Sequence, residues 1–378
     1  MSNAVRIRAL ALVALLVAAA DVAAEPMFLS RQYTRCTTCH HSPTGGGLLT
    51  AYGRSLSHRE LSTFNAPMSS HEPDAPPGGE ESFLWGALGD RTGPLERGVD
   101  LRPSHLTFSF DGARVHRNFW MTADLLAAVR LEGWTLYGQV GRRATPTGGE
   151  LDSYEYWISY GRDSGLGVRA GRFLPAYGVR FADHTAFNRQ VVGLGQFDQI
   201  YGVEVSRSSE RTLLQVAAGP GQADALLDDD RDGAFTAAAR LQVDLAPRNV
   251  LVASGLYRDD TGLEPRRGMA GVALGLSPGR RTTIWTQLDA EGRAGAGELR
   301  LILVNETSFE VNRGIWLKVS PQLRVGGGPL VPDVARFSAG AVLLPRTHWN
   351  VNLSFYHDRN RTLSLTTRTF LAQLHLYL

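Results

Sequence analysis

Trp349-Asn350-Val351-Asn352-Leu353-Ser354-Phe355-Tyr356 alternates apolar and polar side chains at nearly every step. In a β-strand successive side chains point to opposite faces, so Trp349, Val351, Leu353 and Phe355 share one face and Asn350, Asn352, Ser354 and Tyr356 the other. The same beat recurs upstream. Phe235, Ala237, Ala239, Leu241, Val243 and Leu245 alternate with Thr236, Ala238, Arg240, Gln242 and Asp244; Ile315, Leu317, Val319, Leu323 and Val325 alternate with Trp316, Lys318, Ser320, Gln322 and Arg324. One apolar and one polar face suit a soluble β-sandwich or a membrane barrel with lipid outside and water or protein inside. Loop lengths decide between them.

The pattern predicts about 16 strands, near 104–114, 118–131, 134–145, 153–163, 166–178, 200–210, 211–220, 234–246, 250–260, 269–279, 282–292, 297–309, 314–326, 335–345, 348–358 and 367–378. Every second connection is short: Glu132-Gly133, Asp163-Ser164-Gly165, Ser208-Ser209-Glu210, Pro247-Arg248-Asn249, Asn312-Arg313-Gly314. Those between are mostly longer: 146–152, 179–199, 221–233, 261–268, 327–334 and 359–366. Short periplasmic turns alternating with longer outer loops mark an outer-membrane barrel. An even strand count also returns the C-terminus to the periplasmic side. The last strand places Phe370, Ala372, Leu374, Leu376 and Leu378 at alternate positions up to the chain end. The expected fold class is therefore all-β, an antiparallel outer-membrane β-barrel over residues 104–378 with a small, partly helical segment before it.

Composition narrows the function. Lys+Arg 39 against Asp+Glu 37 leaves a formal net charge of +2, which excludes a dedicated nucleic-acid binder. Lys318 is the only lysine, so the cationic side is almost entirely arginine. Past the N-terminus no apolar run is long enough for a membrane-spanning helix, which excludes a polytopic helical membrane protein. No Ser/His/Asp set or carboxylate pair stands at a spacing that argues for hydrolysis. Asp228-Asp229-Asp230-Arg231-Asp232-Gly233 opens like a calcium loop, but its twelfth position is Ala239 instead of glutamate, so it reads as a solvated acidic loop. The connection 179–199, with Arg180, Asp183, His184 and Arg189, reads either as an inward constriction or as a mobile outer loop.

The N-terminus reads as an export signal over residues 1–24: Arg6 and Arg8, an apolar core from Ala9 to Ala20, then Val22-Ala23-Ala24 before Glu25. The chemistry follows directly. Cys36-Thr37-Thr38-Cys39-His40 is C-x-x-C-H, the attachment pattern for c-type haem. Two thiols on one turn each form a thioether to a vinyl group, and the next histidine becomes an axial ligand of the same iron. Zinc would need a second ligand pair, and the chain has no other cysteine. A redox dithiol would sit in a thioredoxin-like βαβ pattern, which is missing. For the second axial position the candidates are Met27, His41, His58, Met68 and His71. His41 adjoins the proximal ligand and hardly reaches the opposite face. His58, on the helical stretch Leu48 to Phe64, is the choice made here.

Phe28-Leu29-Ser30-Arg31-Gln32-Tyr33 precedes the motif; His41-Ser42-Pro43-Thr44-Gly45-Gly46-Gly47-Leu48 and Tyr52-Gly53-Arg54 follow it. Residues 28–54 thereby resemble the N-terminal segment of fused monohaem cytochrome c–porins, an outer-membrane family that includes proteins of iron-oxidising bacteria. The iron-oxidising branch has aromatic residues where this chain has Pro43 to Gly47. The three glycines have a physical reading of their own, since they let the backbone pass close to a bulky haem edge.

The resemblance implies one covalent haem c and a one-electron carrier of the iron oxidase or reductase type. Electrons would pass between an extracellular metal ion or mineral and a periplasmic cytochrome or other soluble redox carrier, with the barrel seated in outer-membrane lipid. The domain order is then signal peptide 1–24, cytochrome segment 25–64, Pro/Gly-rich linker 65–103 and barrel 104–378. The lumen-facing set Arg240, Gln242, Lys318, Gln322 and Arg324 is expected to meet the plug and the haem propionates. Two other readings remain open: a porin or transport protein whose haem segment is a structural or sensory plug, and a barrel scaffold for a separate multihaem cytochrome.

Overall fold

The computed structural model describes residues 27–64 and 94–378, apart from 111, 144–149, 162–164, 191–193, 195–197, 221–234, 260–265, 296, 298 and 328–331. The expected signal peptide, residues 65–93 of the expected linker and the acidic loop 228–233 lie outside the described residues.

Sixteen strands close on themselves: β1 Leu95–Phe110, β2 Ala113–Leu131, β3 Trp134–Arg143, β4 Glu150–Tyr160, β5 Gly165–Phe173, β6 Ile200–Ser208, β7 Thr212–Pro220 and β8 Phe235–Ala246, then β9 Asn249–Asp259, β10 Arg267–Leu276, β11 Thr282–Arg293, β12 Arg300–Asn312, β13 Ile315–Gly326, β14 Val334–Leu343, β15 Trp349–Asn360 and β16 Leu365–Tyr377. Each pairs antiparallel with its sequence neighbour, and β1 closes the ring against β16 in the register Leu106↔Leu371. The result is a closed 16-stranded antiparallel β-barrel, as the alternation predicted.

The alternation also sets the two surfaces. Val203, Leu214, Leu241, Val319 and Phe355 are exposed outward, while Glu204, Gln215, Gln242, Gln322 and Tyr356 are buried inward. Apolar outside and polar inside is the inverse of a soluble sandwich and suits hydrocarbon around the wall.

β1 begins at Leu95, ahead of the expected start at Ser104. The expected linker therefore gives its last residues to the wall. Glu96-Arg97-Gly98-Val99-Asp100-Leu101-Arg102-Pro103 does not read as a membrane strand because its inward face is charged and a register shift falls between Leu101 and Pro103.

Short turns such as 132–133, 247–248 and 313–314 gather at one rim, together with the start of β1 and the C-terminal Leu378. Two segments fill the lumen. Residues 27–64 form a plug at the short-turn rim: Thr63 N donates to Leu344 O at 2.8 Å and Phe64 N to Pro345 O at 2.9 Å. The described residues of the connection 174–199 fold inward, which favours the constriction of its two readings. Tyr177, Val179, Phe181 and Phe187 bury themselves against Val250, Val252, Met269, Trp285 and Ile302 of the wall. Burial at roughly 25 cal/mol per Å² of apolar surface makes this cluster the main force holding the loop inside.

Candidate functional site

The plug is built around the cysteine motif. Cys36–Thr38 form one 3₁₀ turn, in which Cys39 N and His40 N both donate to Cys36 O, at 3.1 and 2.9 Å. Both cysteines are outside any disulfide and half-buried, two thiols on one turn. The chain then pairs back on itself, with His41 N donating to Leu48 O at 3.1 Å and Thr50 N to Cys39 O at 2.9 Å. Helix α1, Ala51–Leu56, is capped by Thr50, whose hydroxyl accepts from Gly53 N at 3.1 Å. It continues as a π turn, Ser57–Leu61, so helical structure occupies only part of Leu48 to Phe64.

The motif residues around the cysteines acquire physical roles here. Gly45, Gly46 and Gly47 all lie at positive φ (79, 76 and 63°), a run that side chains disfavour. A Cβ on Gly47 would also run into the Tyr137 hydroxyl, and one on Gly46 would meet Arg180 Nη2 at 3.2 Å. Gly53 lets α1 touch the Cys39 backbone, where an added Cβ would strike the carbonyl oxygen. Arg54 is fully buried and donates to Arg97 O at 3.1 Å, tying α1 to β1.

Four carboxylates of the wall hold the plug: Glu310 takes Arg31 at 2.7 Å, Asp244 takes Arg35 at 3.0 Å, Glu96 takes His41 at 3.0 Å and Glu155 takes the Ser42 hydroxyl at 3.0 Å. Sequence reasoning missed all four. Their sole signal is a carboxylate at an inward strand position, which gives no hint of a partner more than fifty residues away.

Plug and inward loop meet at Arg180, which donates to Thr44 O at 3.3 Å and to Gly45 O. Beside this contact lies a small cavity of about 50 Å³, bordered by Cys36, Pro43 and Thr44 of the plug, by Leu174 to Arg180, Asn188, Arg189 and Leu194 of the loop, and by Leu213, Gln215, Arg240 and Gln242 of the wall. That space is far smaller than a haem, so plug and inward loop would have to part to admit one. Apolar walls with arginines among them suit a flat macrocycle carrying acidic groups. The His40 imidazole hydrogen-bonds the backbone of Gly46 and Gly47, and burial with Arg180 nearby pushes its pKa down to about 4, leaving it in the neutral, ligating form at neutral pH. Two thiols on one turn and a neutral imidazole are the donor set that haem c requires.

The other expected residues are placed as follows. His58 Nδ1 is 2.9 Å from Thr347 Oγ1 in the β14–β15 turn. Arg35, next to Cys36, is anchored at β6 to β8, nearly opposite in the ring. His58 is not brought to the cleft that Cys36 borders. Met27 packs with Leu56, Leu61 and Trp316, while Met68 and His71 lie outside the described residues. Of the lumen-facing set, Gln242 meets the plug, donating to Thr34 O at 2.8 Å. Arg240 donates to Gly178 O at 2.8 Å, Gln322 accepts from Phe187 N at 2.9 Å, and Arg324 lies over the Phe187 ring, so these three grip the inward loop. Lys318 pairs with Glu306 on the adjacent strand at 2.9 Å.

No protein-family model matches the chain, and no curated protein matches it in sequence. Solved structures do. OmpT of Vibrio cholerae superposes with a TM-score of 0.56 at 10% identity, covering 76% of this chain and 99% of that one. Pseudomonas putida OprB gives 0.57 at 8% identity over 75% and 94%. An anion-selective porin from Comamonas acidovorans gives 0.53 at 10% identity over 75% and 99%. The chain has the porin-like barrel fold of outer-membrane proteins. In this chain the lumen holds a C-x-x-C-H plug at one rim and an inward loop that meets it at Arg180.

Proposed function

We propose that the chain is a single-haem electron-transfer protein of the outer membrane, a fused cytochrome c–porin passing electrons between an extracellular metal ion or mineral and a periplasmic redox carrier such as a cytochrome. The observation that carries this reading is the position of Cys36, Cys39 and His40 on one turn of a plug lodged in the barrel, with Cys36 at the edge of an arginine-lined cavity. A bilayer core of about 30 Å is too thick for one haem to serve both sides from a purely periplasmic position. A haem inside the wall shortens that path, and the plug is where it would be held.

Cys36 and Cys39 would form the two thioethers, and His40 would turn from the Gly46–Gly47 backbone to the iron. When bound, haem c supplies a one-electron ferrous/ferric couple, tuned by axial ligand, burial and nearby hydrogen bonds. Arg180, Arg189 and Arg240 line the cleft and offer paired hydrogen bonds to propionates. The buried apolar residues of the inward loop, Tyr177, Val179, Phe181 and Phe187, would help keep water from the bound group. His58 remains the proposed distal ligand; serving as one requires it to release Thr347 and swing away from the rim.

The test joins composition to transport. Purified protein should carry one covalent haem with a reversible one-electron titration, and vesicles containing it should oxidise or reduce an enclosed redox dye from outside. Porin-sized conductance without dye turnover would favour the transport reading, which the fold by itself equally suits.

A further inference from the structure

The inner wall near the outer mouth carries more guanidinium than its carboxylates can absorb. Arg267 opens β10, Arg293 closes β11, Arg300 opens β12 and Arg324 lies near the end of β13, all at the rim away from the short turns. Three of them converge on one carboxylate: Glu291 is 2.9 Å from Arg300, 2.9 Å from Arg293 and 3.9 Å from Arg267. Arg293, Arg324 and Arg267 all stand close enough to Arg300 to repel it. Two further carboxylates nearby are already engaged. Asp358 accepts two 2.7 Å bonds from Arg336, and Asp333 accepts from Gly326 N at 2.9 Å. Among the described residues, Arg267, Arg293 and Arg300 thus share one carboxylate, Glu291, with Arg324 close beside them.

Hydrogen bonding points the same way. The side chains of Arg267 and Arg300 are only 5% and 7% exposed, yet the Nε groups of Arg267, Arg300 and Arg324 have no acceptor. Buried donors normally find acceptors, and leaving them unmade is costly. Among the described residues this cluster is short of negative charge, and a multivalent anion supplies it.

We propose that Arg267, Arg293, Arg300 and Arg324 form a binding site for a small multivalent anion with carboxylate or phosphate oxygens, entering from the outer side either free or wrapped around a metal ion. Paired hydrogen bonds to planar oxyanions are what guanidinium does best. Glu291 holds the arginines together in the empty state and competes with the ligand. The binding does not rest on the haem reading. One consequence does: if the chain exchanges electrons with an external metal, that metal arrives as an anionic chelate, because the same arginines repel a bare cation.

The experiment is calorimetric titration of the detergent-purified full chain with citrate, with inorganic phosphate and with redox-inert gallium(III) citrate. At low salt at least one probe binds, and added salt weakens it. Arg293→Gln, at a partly exposed position, weakens binding about tenfold, as does Arg300→Gln, while Glu291→Gln strengthens it. Heat-modifiable gel migration reports folding for each variant, so Arg293→Gln carries the test if Arg300→Gln fails to assemble. Tighter binding of the gallium chelate than of citrate identifies the metal-loaded form as the ligand; the reverse order identifies the free oxyanion. No binding of any probe, or binding unchanged in Arg293→Gln, overturns the proposal while leaving haem content and spectrum, and the reading built on them, untouched.

Discussion

The wall and the plug of this barrel are held by different forces. Each strand of the wall is hydrogen-bonded on both sides through a long register, with Asp358 facing Thr367 and Leu303 facing Leu323 as two rungs among many. The plug joins no strand of the wall. Apart from the backbone bonds of Thr63 and Phe64 to the β14–β15 turn, it is pinned by side chains: Arg31 and Arg35 reach wall carboxylates, His41 reaches Glu96, Ser42 reaches Glu155, and Arg54 is buried against β1. A ladder is cooperative and indifferent to the loss of one partner, whereas a few buried charged contacts are not. The wall should therefore assemble without its plug. The plug, too small to build a core of its own, should not order without the wall.

The sharpest way to break the comparison is to remove the thiols. Cys36→Ala/Cys39→Ala should abolish covalent haem, and either single change should weaken attachment. Heat-modifiable migration and β-sheet circular dichroism should stay at wild-type levels, because the motif lies outside every strand. Haem staining that persists in the double variant sinks the cofactor assignment; loss of the barrel itself sinks the claim that the wall is independent.

Next in size is conductance. The plug and the inward loop occupy the lumen, so the intact protein in a planar bilayer should pass little current. Removing residues 27–64 should raise conductance about tenfold or more, toward the open porins whose lumen holds water. The inward loop should still cap the gain, because Tyr177 donates to Asp289 at 2.9 Å and Asn188 and Val179 N both reach Gln287 whether or not the plug is present. An intact protein already as conductive as the deletion would mean that the plug leaves the barrel freely.

This asymmetry explains what the sequence could say in advance. The wall was legible because a lipid-facing strand must be apolar at every second residue, as in Trp349 to Phe355. It failed at Leu95 to Pro103, where Glu96 faces the plug and meets His41 and where Asp100 pairs within the strand, accepting from Arg102 at 2.6 Å. The motif Cys36 to His40 was legible because its spacing carries the chemistry. His58 was chosen by type and chain distance, and neither could show that Thr347, far along the chain, would hold it at the rim. Long-range side-chain contacts follow no local period, so Glu155, Asp244 and Glu310 were silent as well.

A smaller change sharpens the role of the glycine run. Gly47→Ala puts a side chain at φ 63° and against the Tyr137 hydroxyl. Strain of this kind costs about 1–3 kcal/mol. The plug should show it as faster proteolysis near Gly45 and as a lower haem yield, with the wall unaffected. Tyr137→Phe removes the obstructing oxygen and should restore part of the loss in the double variant. If Gly47→Ala is silent, the close approach of plug to wall at this point is not a constraint.

The smallest effect expected is acid loosening of the constriction. His184 sits on the inward loop, where burial lowers its pKa; Arg189 and Arg102 push the same way and Asp183 opposes them. A histidine depressed in the docked loop binds fewer protons there than when the loop is free in water, where its pKa is about 6.5. Above that value both states are neutral and His184 contributes nothing to the balance. As pH falls through it, the free loop gains a proton that the docked loop refuses, so acid favours release. The plug-deleted barrel should therefore conduct somewhat better at about pH 5 than at about pH 7. His184→Gln, which cannot take up the proton, should flatten that dependence without changing the conductance at neutral pH. An acid response that survives His184→Gln at full size would assign the sensitivity to the carboxylates that hold the loop, Asp289 foremost, and leave His184 as a packing residue.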